Sequence, residues 1–248
     1  MAIQWINGHI VRKQIWYEGL FTLTVDCPGV APFECGQFLQ VGVPLADKHL
    51  HRPYSVASPH GDQLEFFIVR VADGELTPRL WEMNLGDTID ISSKATGGFT
   101  LEHAPAADAI WLLATGTGLA PYIAMLRDSR IWNSYRDIVL VHGVRHVTDL
   151  AYTDELESLV RSSDGRLRLV PVVSRDRPEH GFHGRITTAI ESGALEEIAD
   201  LPLSPHSSAV MMCGNPLMLD DVEAILNARG MRKHKRNEVG HYVVERYW

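Results

Sequence analysis

The sequence predicts a two-domain protein: an N-terminal antiparallel β-barrel, followed by an α/β domain built on a parallel sheet. Residues 1–100 contain short alternating or apolar segments separated by Pro, Gly and Asp, which is typical of small antiparallel barrels. From residue 109 to 248, continuous apolar runs alternate with amphipathic segments, which is typical of strands and helices in a doubly wound parallel sheet. We expect the intervening residues 101–108 to form a linker.

In the first half, four segments are predicted to be strands because apolar residues alternate or cluster between turn signals. These segments are 21–25, 38–43, 64–69 and 88–91. A helical pattern is found in this half over residues 76–84. Residues 52–55, Arg-Pro-Tyr-Ser, fall between the strand candidates.

In the second half, apolar runs at 109–114, 138–141, 167–173 and 209–213 are predicted to be strands. A helical segment follows each of them. The first helix begins after Gly116 and extends to residue 127, and the others cover 149–161, 186–198 and 217–228. This alternation predicts a sheet that can bind a nucleotide at the carboxyl ends of its strands.

Composition and charge exclude several classes of function. The net charge of −8 argues against nucleic acid as a partner, and there is no apolar run of 18 residues that could cross a membrane. The N-terminus lacks the pattern of a secretory signal. The three cysteines, Cys27, Cys35 and Cys213, suit a reducing cytoplasm, and their spacing does not fit an iron–sulfur cluster.

The twelve histidines do not form a recognisable metal site. His49 and His51 have His-x-His spacing, and His142 and His146 are four residues apart. Neither pair comes with a convincing third ligand, so no metal is expected.

The segment 115–121, Thr-Gly-Thr-Gly-Leu-Ala-Pro, lies between the first strand of the sheet and its helix. Glycines at this point let the backbone approach a pyrophosphate, although a plain tight turn would also use them. At the end of the last strand, Cys213 begins the sequence Cys-Gly-Asn-Pro. There it could face a ligand, or it could be a small buried hydrophobic residue.

In the barrel half, Arg52 suits a phosphate, Tyr54 can stack on a flat ring, and the hydroxyl of Ser55 can donate to a ring nitrogen. A strand edge with an exposed arginine would show the same four residues. Each motif is therefore weak when it is taken alone.

Together the three motifs are much more specific. Arg-Pro-Tyr-Ser, Thr-Gly-Thr-Gly-Leu-Ala-Pro and Cys-Gly-Asn-Pro, in this order, resemble the ferredoxin–NADP reductase family over nearly the whole chain. The resemblance is closest to the bacterial ferredoxin (flavodoxin)–NADP reductases. It is carried further by Val-His-Gly-Val-Arg at 141–145, Val-Val-Ser-Arg at 172–175, Gly-Arg-Ile at 184–186 and the final Tyr247-Trp248.

The resemblance implies that FAD is bound by the first domain. Arg52 would contact the FAD phosphates, Tyr54 would pack on the isoalloxazine, and Ser55 would lie near flavin N5. Thr117 would approach the flavin from the second domain, and Trp248 would stack on the adenine. The remaining residues expected at the FAD site are Pro53, Phe67, Ile68, Val69, Gly74, Glu75, Leu76 and Thr77.

The resemblance also implies an NADP site on the second domain. Cys213 would lie beside nicotinamide C4 with Glu245 nearby, and Tyr247 would cover the flavin face, although the tail after Gly240 could instead be an edge strand. With Ser55, these three residues are the catalytic candidates. The other expected NADP-binding residues are Gly116, Gly118, Gly214 and Asn215, together with Arg145, Ser174, Arg175 and Arg185 around the 2′-phosphate. Guanidinium donors suit that phosphate, whereas surface arginines without a ligand are the alternative.

These expectations define an enzyme that moves hydride from NADPH C4 to flavin N5 and then passes single electrons to a small ferredoxin or flavodoxin. Such carriers are typically acidic, and the basic run 229–236 could attract them, with Arg70, Arg79 and Lys94 in the barrel half widening that surface. Taken alone, the run would be a solvated face after a helix. We expect a cytoplasmic monomer. One alternative is the reductase component of an oxygenase, and another is a non-catalytic flavin-dependent sensor or electron-transfer subunit.

Overall fold

The computed structural model describes residues 3–246, and the chain divides into two compact units. The first unit comprises the residues up to Leu101 together with Ala120–Ser129, and the second comprises Glu102–Leu119 together with the residues from Arg130 onward. The proposed domain boundaries at 100 and 109 stay a prediction. Tyr247 and Trp248 lie outside the described residues.

The first unit is built on an antiparallel sheet of six strands. In chain order these are β1 (Trp5–Tyr17), β2 (Leu20–Asp26), β3 (Phe38–Pro44), β4 (His49–Ser55), β5 (Gln63–Val69) and β6 (Thr88–Ser92), and helix α1 (Thr77–Glu82) lies between β5 and β6. The spatial order is β4-β3-β6-β1-β2-β5. A bridge between Val56 and Phe66 joins the two edges, so the sheet closes as the predicted barrel.

The four strands predicted in this half are confirmed, and so is the short helix within residues 76–84. The position expected for Arg-Pro-Tyr-Ser is wrong, because these residues do not fall between strands. They are the last four residues of β4, which stands at one end of the strand order, pairs with β3, and ends just before the bridge that closes the barrel. A strand in this position tolerates Pro53, which cannot donate a hydrogen bond to a neighbouring strand.

The barrel core contains the inward-facing apolar side chains of all six strands. Helix α1 contributes Leu80, which is fully buried. The segment Ala120–Ser129 belongs with this unit through polar contacts as well. Arg127 donates to the carbonyl oxygen of Ala57 at 3.0 Å and pairs with Glu65 at 3.0 Å. A segment that follows a strand of the second unit therefore completes the first.

The second unit is built on a parallel sheet of six strands, as predicted. The strands are β7 (Ala109–Thr115), β8 (Asp137–Val144), β9 (Leu167–Val173), β10 (Phe182–His183), β11 (Ser208–Gly214) and β12 (Tyr242–Arg246), in the spatial order β10-β9-β8-β7-β11-β12. The helices after β7 are α2 (Ala120–Leu126), which belongs to the first unit, and α3 (Ser129–Ser134), α4 (Thr153–Ser162), α5 (Ile186–Glu191), α6 (Ala194–Ala199) and α7 (Pro216–Ala228).

Two expected helices differ from those observed. The helix expected over 186–198 is divided into α5 and α6, because Gly193 adopts φ +79° between them. The helix expected over 149–161 starts only at Thr153, after a 3₁₀ turn over Val147–Asp149.

The chain after Gly240 forms β12 as far as Arg246, which was the alternative considered for this tail. Tyr242 is buried in β12, and its hydroxyl hydrogen-bonds to the side chain of Asn227 at 3.0 Å. Within residues 3–246, no helix combines the length and the apolar character needed to cross a membrane.

Candidate cofactor and nucleotide sites

Two of the sequence motifs pack directly on each other at the carboxyl ends of the neighbouring strands β7 and β11. The backbone N–H of Asn215 donates to Oγ1 of Thr115 at 2.8 Å. Gly214 has φ +139°, and a Cβ there would overlap the hydroxyl of Thr115. A Cβ on Gly118 would collide with the carbonyl oxygen of Cys213. The glycines at 118 and 214 are thus required by the contact between the two loops.

The first of these loops is also held by a buried side chain of the neighbouring strand β8. Residues Gly116–Leu119 form a 3₁₀ turn that starts with Gly116 at φ +52°. His142, buried in β8, places Nε2 3.1 Å from the carbonyl oxygen of Gly116. Burial lowers the pKa of His142 to about 4, although the hydrogen bond to Gly116 acts in the opposite direction. The imidazole is therefore neutral, with its proton on Nε2. In the sequence, His142 stands out only as one of a pair of possible metal ligands, and no pattern indicates this role.

The second loop shapes the start of α7. The side-chain oxygen of Asn215 accepts hydrogen bonds from the backbone N–H groups of Leu217 at 2.9 Å and Met218 at 3.4 Å, and Pro216 occupies the first turn. An asparagine at this position satisfies donors that the helix itself leaves free. Asn215 thus has a structural role besides the expected contact with NADP.

Cys213 and Glu245 are register partners on β11 and β12. The Cys213 thiol lies 3.8 Å from Oε2 of Glu245, to which it can donate. Cys213 is fully buried among the described residues, and Glu245 is half-buried. The structure therefore brings together the two residues that were expected beside the nicotinamide.

The residues expected at the 2′-phosphate form a second group in this unit. Arg145 follows β8, Arg175 follows β9, and Arg185 precedes α5. All three are exposed, and their guanidinium groups form no ion pair with any of residues 3–246. The backbone N–H of Ser174 donates to the carbonyl oxygen of Val144 at 3.1 Å, which holds the ends of the two strands together. Free guanidinium groups at strand ends suit an anionic ligand.

In the first unit, the residues of the Arg-Pro-Tyr-Ser motif have different environments. Arg52 is exposed, and its guanidinium donates to the carbonyl oxygen of His51 at 2.7 Å. Tyr54 packs partly against the barrel core, and burial raises the pKa of its phenol to about 12. Ser55 is buried, whereas Pro53 is exposed. The motif thus presents a cation and a neutral aromatic ring in one stretch of strand.

The chain before α1 makes a tight turn. Gly74 donates to the carbonyl oxygen of Val71 at 2.9 Å, and the N–H of Val71 donates to Oγ1 of Thr77 at 2.9 Å. Glu75 pairs with Lys48 at 2.6 Å, and this hydrogen bond lowers the pKa of the Glu75 carboxyl. The other expected residues of this region divide by exposure: Leu76, Phe67 and Ile68 are buried, and Val69 is 44% exposed.

Thr117 is half-buried in the 3₁₀ turn, within the second unit.

The residue pairs considered for a metal have other partners. His49 hydrogen-bonds to the buried carboxylate of Asp90 at 2.7 Å, and no cluster of three metal-ligating side chains is found over residues 3–246.

The basic run 229–236 is partly neutralised by neighbouring acids. Arg229 pairs with Glu196 at 2.7 Å, and Lys233 pairs with Glu223 at 3.0 Å. Lys235 pairs with Glu238 at 3.2 Å. The positive charge that this run presents to a partner is therefore smaller than its sequence suggests.

The fold agrees with comparisons to known domains. Residues 20–99 match the oxidoreductase FAD-binding domain, and residues 112–224 match the oxidoreductase NAD-binding domain. The class defined is a two-domain oxidoreductase with one domain for a flavin and one for a nicotinamide nucleotide.

Similar proteins narrow this class. The flavodoxin/ferredoxin–NADP reductase of Escherichia coli (strain K12) is 40% identical over 246 residues, which are 98% of this chain and 99% of the relative. The ferredoxin–NADP reductase of Pseudomonas aeruginosa is 35% identical over 93% of each chain. A crystal structure of a ferredoxin NADP+ reductase from Neisseria gonorrhoeae with bound FAD and NADP matches with a TM-score of 0.93, 29% identity and 99% coverage of each chain. This chain belongs to the flavodoxin/ferredoxin–NADP reductase family, and the resemblance predicted from its motifs is confirmed.

Proposed function

We propose that this protein is an FAD-dependent NADP oxidoreductase that takes hydride from NADPH and passes electrons singly to a small ferredoxin or flavodoxin. The observation that carries the proposal is the contact of Thr115 and Gly118 with the Cys213–Asn215 loop, at the carboxyl ends of two adjacent parallel strands. Ligands of open α/β sheets bind at such ends. The exposed arginines after β8 and β9 extend the same edge of the sheet.

On the second unit, the turn that contains Gly116 and Gly118 would receive the pyrophosphate of NADPH. Cys213 and Glu245 would position the nicotinamide. Cys213 is not a nucleophile in this scheme, because its thiol is buried and faces a carboxylate. Arg145, Ser174, Arg175 and Arg185 would bind the 2′-phosphate, which distinguishes NADPH from NADH.

On the first unit, Arg52 would contact the phosphates of FAD, and Tyr54 would pack against the isoalloxazine. The residues fit this group, because the guanidinium is exposed and the phenol stays neutral with a pKa near 12. Ser55 would place its hydroxyl near N5. FAD, when bound, accepts hydride at N5 and releases its electrons one at a time.

The start of α1 would supply backbone donors to the FAD pyrophosphate, because the first N–H groups of a helix lack intrahelical partners. The turn Gly74–Thr77 sets the position of these donors. Tyr247 and Trp248 are proposed to cover the flavin face and to stack on the adenine, so Tyr247 would have to move during turnover.

The acceptor is proposed to be an acidic carrier. Arg232 and Arg236, for which no ion pair is found over residues 3–246, could attract it together with Arg70, Arg79 and Lys94. Complementary charge accelerates such encounters, and salt weakens the effect. We further propose that the protein is a cytoplasmic monomer.

The test is an anaerobic titration of the FAD-loaded protein with NADPH and, separately, with NADH, followed by the visible absorption of the flavin. Rapid bleaching by NADPH and a poor response to NADH are expected. An equal or better response to NADH would refute the 2′-phosphate assignment and favour the reductase component of an oxygenase. Protein that does not retain FAD would overturn the proposal as a whole.

A further inference from the structure

Two loops of the second unit carry the arginines proposed to bind the 2′-phosphate, and the residues next to those arginines pair with each other. His146 follows Arg145, and Asp176 follows Arg175. Nδ1 of His146 lies 3.1 Å from Oδ2 and 3.2 Å from Oδ1 of Asp176. Because a carboxylate only accepts hydrogen bonds, this nitrogen must carry the proton.

Asp176 makes a second contact with the same loop. Its Oδ2 accepts a hydrogen bond from the backbone N–H of Val147 at 3.0 Å. This bond, the contact with His146 and the nearby His183 lower the pKa of the Asp176 carboxyl, so it is charged at neutral pH. One carboxylate thus holds both a side chain and a backbone group of the loop that carries Arg145.

The two loops are also joined through their backbones. The N–H of Arg175 donates to the carbonyl oxygen of Arg145 at 2.9 Å. From the other side, the carboxylate of Asp149 accepts from the N–H of His146 at 2.9 Å. His146 has an extended backbone, with φ −118° and ψ 154°. Arg145, its neighbour in the chain, is exposed and forms no ion pair with any of residues 3–246, so its guanidinium is left to bind an anion.

We infer that His146 and Asp176 are positioning residues for the 2′-phosphate site: their pairing holds the loop that carries Arg145 against the loop that carries Arg175. The inference rests on the proposed use of these arginines. Under this inference Asp176 strengthens binding of the 2′-phosphate, whereas its negative charge alone would weaken that binding. A carboxylate close to a phosphate repels it, whereas a carboxylate that fixes two guanidinium groups favours its binding.

Removing the Asp176 carboxylate should therefore weaken phosphate binding if the residue positions the loop, and strengthen it if its charge dominates. The dissociation constants of adenosine 2′,5′-bisphosphate and of 5′-AMP are measured by calorimetry on the FAD-loaded protein and on D176A. We expect D176A to bind the bisphosphate about tenfold more weakly, which is the scale of one charge-assisted hydrogen bond, and to bind 5′-AMP as before. The KM for NADPH should rise in parallel while kcat is unchanged. Equal or tighter binding of the bisphosphate by D176A would overturn the inference.

Two further variants separate positioning from charge. D176N removes the charge but keeps an oxygen that can accept from Val147, so it should recover most of the affinity that D176A loses. E179A is the matched control, because Glu179 is an exposed acid on the same segment and its partner, His180, lies on that segment too. Removing it changes the net charge equally and should leave the affinity unchanged or slightly raised. An affinity loss in E179A as large as in D176A would refute the positioning role.

H146A provides an independent measurement should D176A fail to retain FAD. It removes the contact between the side chains and keeps the bond from Val147, so a loss of about threefold in bisphosphate affinity is expected. No loss would contradict the inference. If the unmodified protein does not prefer the bisphosphate over 5′-AMP, the NADP assignment fails first, and the positioning role fails with it.

Discussion

Nε2 of His142 lies 3.1 Å from the carbonyl oxygen of Gly116, so a fully buried imidazole supports the loop proposed to receive the pyrophosphate. The imidazole has to be neutral to avoid a buried charge, and it has to carry its proton on Nε2 to make the bond. The hydrogen bond that shapes the loop therefore depends on the protonation state of His142, and so on pH.

His142 should make the second unit less stable in acid. Its pKa is about 4 in the folded protein and has an ordinary value of 6.5, so between these values the unfolded chain binds a proton that the folded chain does not. The contribution is fully present above about pH 6.5, falls as the pH decreases towards 4, and amounts to about 3 kcal/mol in total. Thermal denaturation across this range should show a flatter pH dependence for H142Q. H206Q, which removes an exposed histidine, should behave as the unmodified protein does.

Gly118→Ala should disturb both the fold and nucleotide binding, because the added Cβ would collide with the carbonyl oxygen of Cys213. We expect a loss of about 1–3 kcal/mol in stability, together with weaker NADPH binding. Denaturant unfolding and the KM for NADPH measure the two effects. Gly98→Ala is the control, because no atom lies within 4 Å of a Cβ placed there. Unchanged values for the Gly118 variant would show that the two loops can separate at little cost.

Arg175→Ala should raise the KM for NADPH by roughly tenfold to a hundredfold and leave the KM for NADH unchanged, because a charge-assisted contact contributes about 1.5–3 kcal/mol. The ratio of kcat/KM for the two nucleotides is the measurement. Arg161→Ala removes a guanidinium from α4 and should not change that ratio. A similar decrease with NADH would mean that Arg175 acts on a part of the nucleotide other than its 2′-phosphate.

Tyr54 should hold the flavin through its ring and not through its hydroxyl. Tyr54→Phe should retain FAD as the unmodified protein does, whereas Tyr54→Ala should bind it roughly threefold to tenfold more weakly, the scale of one aromatic contact. Equilibrium dialysis of free FAD measures both. A large loss in the phenylalanine variant would assign the interaction to the hydroxyl instead.

Asn215→Ala should destabilise α7 by about 1 kcal/mol, because the side-chain oxygen no longer caps the N–H groups of Leu217 and Met218. Asn215→Asp preserves the cap and should recover this stability. It also adds a negative charge next to the proposed nucleotide site, so its KM for NADPH should rise. Chemical denaturation and steady-state kinetics separate the two effects.

The elements that the sequence predicted correctly have a regular local pattern, as the parallel strands do. Strand β1, Trp5–Tyr17, was missed because its pairing with β2 shifts register twice, between Ile10 and Arg12 and between Ile15 and Tyr17. Each shift interrupts the two-residue alternation by which a strand is recognised. The break at Gly193 was missed because a single glycine within a helical pattern does not reveal its φ angle.

The candidate residues could be identified from the sequence because their motifs match a family. The contacts that support these residues could not be predicted from the sequence. The collision that forbids a side chain at Gly118 comes from Cys213, which is far away in sequence and lies on the neighbouring strand. The pairing of His146 with Asp176 likewise depends on where two strands end. Such contacts exist only once the sheet has assembled, so no pattern along the chain indicates them.

The attachment of Ala120–Ser129 to the first unit has a consequence for biosynthesis. A barrel encoded by one uninterrupted stretch could finish folding as soon as that stretch had left the ribosome. Here Arg127, which contacts Ala57 and Glu65, is translated only after the first strand of the second unit. The barrel therefore cannot finish folding during synthesis until residues 120–129 have been translated. A gene truncated after residue 101 would encode a barrel that lacks one of its own helices.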